Sequence, residues 1–119
     1  MSRIIHTDNS EFFRKLMRTF LVELGHETNG LTKGEEALTI VKAGKADCVV
    51  TGLELADMGG EEYIKRLLGV PQAVPVIVVT SQDNAAQKKR LDALGVKAVI
   101  QKSGDWKSEL SRHLADIHK

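Results

Sequence analysis

The sequence predicts an α/β domain built on a five-stranded parallel sheet with helices on both faces. Three observations carry that prediction. Short apolar runs alternate with helical stripes five times along the chain. Two of the runs, at 48–50 and 76–79, are apolar at every position, as central strands covered on both sides are. Joining such strands in one sheet requires crossovers, which are right-handed and carry the helices. At 119 residues and 42% hydrophobic content the chain suits one domain, 1–119. A domain of this size buries roughly two-thirds of its unfolded surface, so its core needs neither disulfide nor metal. The lone Cys48 has no internal partner for a bridge, and that usage suits a reducing compartment.

The elements follow in order. Ile4 and Ile5 open the first strand, and Phe13, Leu16, Met17, Phe20, Leu21 and Leu24 then recur at helical spacing, with Arg14, Lys15 and Arg18 opposite them. Glu11 complements the dipole of this helix, and Gly25 follows it where a left-handed cap is needed. Residues 26–31 form a second strand candidate, although Asn29-Gly30 reads locally as a hairpin turn. Thr32 and Glu35 have capping-box spacing and open a helix through Ala37, Leu38 and Val41 that stops near Gly44. The run at 48–50 is the third strand. A helix at 61–68 follows, with Tyr63, Ile64, Leu67 and Leu68 as its buried stripe. Residues 76–79 after Pro75 give the fourth strand, 85–94 the fourth helix ending before Gly95, and 96–100 the last strand. The final helix, 106–117, places Trp106, Leu110, Leu114 and Ile117 on one face.

Charge and motif content exclude several functions. Seventeen Lys and Arg against sixteen Asp and Glu leave a formal charge of +1, with no bias toward nucleic acid or membrane. No apolar stretch approaches the ~20 residues that cross a bilayer, and the first residues lack a secretory apolar region. A cytoplasmic protein is expected. No glycine-rich phosphate loop or nucleophile elbow follows any strand. His6, His26, His113 and His118 show no metal-ligand spacing with Cys48, so packing and surface roles are their default.

In a parallel α/β sheet, sites gather at the carboxyl ends of the strands. Those ends carry Asp8, Asn9 and Ser10; Thr51, Gly52 and Glu54; Thr80, Ser81 and Asp83; and Lys102 with Ser103. Asp8-Asn9-Ser10 with Arg14, the start of the second helix at 34–38, residues 47–52, the strand 75–81 with its hydroxyls, and 93–102 ending on Lys102 together resemble the receiver domain of two-component response regulators along the whole chain. The resemblance implies a CheY-like, flavodoxin-like doubly wound (βα)5 fold with strand order 2-1-3-4-5. It also implies a pocket of acids, a Thr or Ser and a Lys at the strand ends, with Mg²⁺ bound there.

Several positions depart from that pattern. Counting from Asp47, and back from Asp57-Met58-Gly59-Gly60, places Gly52 where the family carries its phosphoacceptor aspartate. An acyl phosphate needs a carboxylate nucleophile, so none forms at this position. Asn9 stands for the second acid, leaving Asp8 as the remaining ligand of a weak metal site. Ala56 replaces a loop proline, Val99 an aromatic switch residue, and Ser103 the proline after the lysine. With fewer carboxylates present, Asp8 is expected to pair directly with Lys102. Removing a like-charge contact at about 4 Å relieves roughly 1–4 kcal/mol.

The expected function is therefore a pseudo-receiver. It would be no enzyme, would require no cofactor, and would act through a protein partner or a fused output domain. A degenerate pocket of Asp8, Asn9, Gly52, Glu54, Thr80, Ser81 and Lys102 would mark it. Glu54 is weighed as a fixed charge in the phosphate's place against a solvated loop carboxylate, and the solvated reading is favoured. The resemblance further implies a partner or homodimer surface on the fourth helix, fifth strand and fifth helix, at Lys88, Lys89, Arg90, Lys97, Val99 and Arg112. Arg14, Lys15 and Arg18 form a second basic candidate. Two rivals remain: a phosphorelay receiver modified on Asp8, Glu54 or Asp57, and a small-ligand module with a cavity at the strand ends.

Overall fold

The structure, a computed structural model, describes residues 2–117. Five strands, β1 (Arg3–Thr7), β2 (Glu27–Leu31), β3 (Cys48–Thr51), β4 (Val76–Thr80) and β5 (Ala98–Gln101), alternate with five helices. The helices are α1 (Glu11–Glu23), α2 (Gly34–Lys42), α3 (Gly60–Leu68), α4 (Ala85–Leu94) and α5 (Trp106–Ile117). All strand pairs are parallel, in the order β2-β1-β3-β4-β5. This is the flavodoxin-like architecture expected from the sequence.

Alternation along β1 divides the interior into two layers. Ile5 points into a cluster with Leu38, Val49, Tyr63, Ile64, Leu67, Val78 and Leu91, beneath α2, α3 and α4. Ile4 points the other way, to Phe13, Met17, Leu21, Val50, Ile77, Ile100, Trp106 and Leu110 beneath α1 and α5. Opposite-facing neighbours are what a two-residue period gives. β3 and β4 are buried at every position, as doubly covered central strands must be.

The strand expected at 26–31 is present despite the turn signal of Asn29-Gly30: Asn29 pairs with Ile5 and Gly30 with His6 in a regular parallel ladder. Two local expectations are corrected. Thr32 does not cap α2. Its N-cap is Lys33, which makes no side-chain capping bond, and the Asp57 carboxylate accepts instead from the N–H groups of Gly34 (2.8 Å) and Glu35 (3.1 Å). In α1 only Phe13, Met17 and Leu21, spaced by four, meet the sheet. Leu16 (37% exposed) and Leu24 (41%) fall on its flanks, and Phe12 is 74% exposed. The left-handed cap expected at Gly25 is present, with φ of 88°, and Gly44 and Gly95, where helices were expected to stop, are left-handed too, with φ of 72° and 105°.

Candidate functional site

The carboxyl ends of β1, β3, β4 and β5 surround a cleft of about 500 Å³. Its floor is built by β1 and β3. Gly52 continues the ladder past Thr51 and donates its N–H to the Thr7 carbonyl at 2.8 Å. Asp8 follows β1 and is buried, its N–H bonded to the Leu31 carbonyl and its own carbonyl accepting from the Arg14 guanidinium at 2.9 Å. The Asp8 carboxylate leans over Gly52: a Cβ placed on Gly52 would lie 2.8 Å from Oδ2 and 3.0 Å from Cγ.

Both oxygens of that carboxylate are engaged. Oδ1 accepts from the Ser10 N–H at 2.9 Å, and Oδ2 lies 2.9 Å from the Lys102 ammonium. The latter contact is held by charge rather than by a well-directed hydrogen bond. Lys102 is placed by its N–H bond to the Thr80 carbonyl (2.8 Å), and its ammonium also sits 4.1 Å above the Phe13 ring. The Thr80 hydroxyl accepts from the Gln82 N–H at 3.0 Å. Phe13 and Trp106 meet in a tilted ring contact, centroids 5.0 Å apart, and line the α1–α5 side, with Phe12 and Leu16 at the mouth.

The residues do not form a strong cation site. Among the described residues no three His, Cys, Asp or Glu side chains converge. Asp8 gives its two oxygens to Ser10 and Lys102, and Glu54 is exposed at the rim, where its residue forms an antiparallel bridge with Gly59. Asn9 is exposed and donates its N–H to the Glu54 carbonyl at 3.0 Å.

The Response regulator receiver domain family matches this chain over residues 4–114. The chain belongs to that family. The receiver domain is 30% identical over 100 residues to the protein-glutamate methylesterase/protein-glutamine glutaminase of Bacillus subtilis, covering 82% of this chain and 28% of that protein. It therefore spans little more than a quarter of that relative. Chemotaxis protein CheY of Thermotoga maritima is 26% identical over 101 residues, with 84% of each chain covered. Among solved structures, the receiver domain of Francisella response regulator 1452 superposes with a TM-score of 0.88 at 19% identity, covering 99% of this chain and 98% of that one. The BeF3-activated receiver domain of Klebsiella pneumoniae RstA gives 0.87 at 18% identity, with 98% and 99% covered. The last two likenesses concern the fold.

Within this receiver domain, Asp8, Asn9, Gly52, Glu54, Thr80, Ser81 and Lys102 all line the one cleft. Asp57 does not, being bound to the start of α2; burial opposes its charge, but the N–H groups of Glu35 and Gly34 hold its carboxyl below the usual range. The α4–β5–α5 surface is less uniform than its sequence suggests. Lys88 pairs with Asp92 and Arg90 with Glu61, both at 3.0 Å, while Lys89, Lys97 and Arg112 are exposed. Val99 is half-buried against the α2–α3–α4 core. Of the α1 basic group, Arg14 turns in to the Asp8 carbonyl, Lys15 pairs with Glu11 at 3.4 Å, and Arg18 is exposed.

Four residues that the sequence places only in strands or in the core gain specific surroundings near the cleft. His6 is fully buried below it, its ring 5.9 Å from Phe13 and neither nitrogen hydrogen-bonded. Burial pushes its pKa down to about 4, reinforced by Lys102 and Arg14 and opposed by Asp8. Its apolar register position, two residues after Ile4, was the available signal. Thr7, Thr51 and Tyr63 form a buried hydroxyl cluster on the opposite face: Thr7 Oγ1 donates to Thr51 Oγ1 (2.7 Å) and lies 3.3 Å from the Tyr63 hydroxyl, and Thr51 Oγ1 reaches the Gly52 carbonyl (2.7 Å). Burial raises the Tyr63 pKa, keeping its hydroxyl protonated.

Proposed function

We propose that this receiver domain is a pseudo-receiver, a signalling module that accepts no phosphate and works by binding a protein partner or a fused output domain. One observation carries the reading: where the family's phosphoacceptor is expected there is Gly52, and the Asp8 carboxylate occupies the space a side chain would enter while paired to Lys102. Acyl-phosphate formation needs a free carboxylate nucleophile beside activating cations. Asp8 has both oxygens engaged. Asp57 is spent on capping α2. Glu54 stands exposed at the rim of the same cleft, its residue held in a bridge with Gly59. These placements count against the phosphorelay alternative on Asp8, Glu54 or Asp57.

The domain on this reading catalyses no reaction, needs no Mg²⁺, and operates in the cytoplasm. No helix among the described residues is long and apolar enough to cross a membrane. That a methylesterase from Bacillus subtilis contains a matching segment as 28% of its length supports an attached output domain as one form of partner. Incubation with a small phosphodonor and Mg²⁺, followed by intact-mass measurement, tests the proposal. The expected mass is unchanged; a stoichiometric phosphate adduct overturns it, and repeating the reaction after removing each acid would identify the acceptor.

A further inference from the structure

α4 is the helix least anchored by burial. Its only buried residue is Leu91, against three or four in each of the other helices. The Arg90–Glu61 pair that ties it to α3 is largely exposed, and such pairs contribute little. The N-terminal end of α4 is held through the short segment that leads into it from β4, residues 81–84, as its C-terminal end is through Val96 and the bond of the Lys97 N–H to the Val76 carbonyl.

That segment is tied down at one residue from two sides. The Gln82 N–H donates to the Thr80 hydroxyl at 3.0 Å, and the Gln82 carbonyl accepts from the side-chain amide of Gln101, at the end of β5, also at 3.0 Å. Gln82 and Gln101 are both half-buried, so these bonds are partly shielded from competing water. Next to Gln101, the Lys102 N–H bonds the Thr80 carbonyl, so β5 grips the β4–α4 corner through backbone and side chain together. Asn84 then caps α4 by accepting from the Gln87 N–H at 3.0 Å.

We propose that Gln101 is a latch: its amide holds the β4–α4 corner against β5 and thereby fixes the position in which α4 presents Lys88 and Lys89. A carboxamide is suited to this role because its NH2 donates to a carbonyl without bringing a charge into the half-buried corner. The latch concerns the output side of the fold and does not lean on the absence of phosphorylation.

Amide hydrogen exchange on the intact chain, with neither phosphodonor nor Mg²⁺ present, tests it. Gln101→Leu keeps the bulk and removes the donor. Amides of residues 82–88 should then exchange about tenfold faster, while those of β1 and β3 keep their protection. Thr80→Val removes the other tie, and the double variant should accelerate the same amides beyond either single one. Unchanged exchange at 82–88 in Gln101→Leu, or acceleration spread evenly over the sheet, overturns the latch. Neither result bears on phosphate acceptance, which the mass measurement decides separately.

Discussion

The two faces of the sheet treat buried polarity in opposite ways. Beneath α2, α3 and α4, the hydroxyls of Thr7, Thr51 and Tyr63 satisfy one another and the Gly52 carbonyl. Beneath α1 and α5, His6 has no hydrogen-bond partner at either ring nitrogen, and the ion pair of Asp8 and Lys102 lies just above it. One face carries polar groups whose cost is offset locally and does not vary with ordinary pH. The other carries an imidazole whose burial disfavours its charged form and a charge pair whose buried carboxylate depends on its partner. The sheet thus carries mutually satisfied hydroxyls on one side of β1 and β3 and an unpartnered imidazole beneath an ion pair on the other.

Lys102→Met should break the contrast most strongly. It leaves the Asp8 carboxylate, only 5% exposed, without its counter-charge, and should cost about 3 kcal/mol in denaturant unfolding. Adding Asp8→Asn should recover most of that loss, since the penalty comes from the orphaned charge rather than from a large net value of the pair.

His6→Leu sharpens the comparison through pH. The folded-state pKa of His6 lies near 4 against an ordinary 6.5, so below pH 6.5 the unfolded chain binds the extra proton and stability falls as pH drops toward 4. The histidine's contribution at pH 5 is a loss of about 2 kcal/mol relative to neutral pH. Urea unfolding at the two pH values should show His6→Leu retaining that amount where the wild type loses it. Parallel curves for the two proteins would mean that the buried imidazole is protonated in the folded state.

The smallest effect belongs to the satisfied face. Thr51→Val leaves the Thr7 hydroxyl and the Gly52 carbonyl each short of a partner and should cost about 1–2 kcal/mol, with no dependence on pH between 5 and 8. A loss that grows with acidity would move this cluster into the same class as His6.

Residues of the cleft could be read from the sequence because parallel topology brings strand ends together whatever their separation in the chain: Asp8, Gly52, Thr80 and Lys102 needed only the strand order. The contacts that tune the site were hidden because they depend on how distant elements meet. Asp57 caps a helix that begins 23 residues before it, a pairing no local capping pattern contains. Asn29-Gly30 carries a turn signal that lateral pairing with β1 overrides. His6 looked unremarkable as one of four scattered histidines, and only the register of β1 shows it buried among Phe13, Val50 and the ion pair. Leu16 fits the helical stripe of α1 equally well, yet three residues suffice to cover the sheet there and it is left at the cleft mouth.

The proposed pseudo-receiver depends on Asp8 and Lys102 neutralising each other at the floor of the cleft, which leaves neither a nucleophile nor a cation site there. Thermal unfolding with and without millimolar Mg²⁺ tests it most directly, comparing the wild type with a variant carrying both Gly52→Asp and Asn9→Asp. The midpoint should be unchanged for the wild type and rise by several degrees for the variant, whose added side chain at position 52 is crowded against Asp8 and whose three carboxylates favour a bound cation. A wild-type midpoint that already rises by several degrees with Mg²⁺ would contradict the proposal.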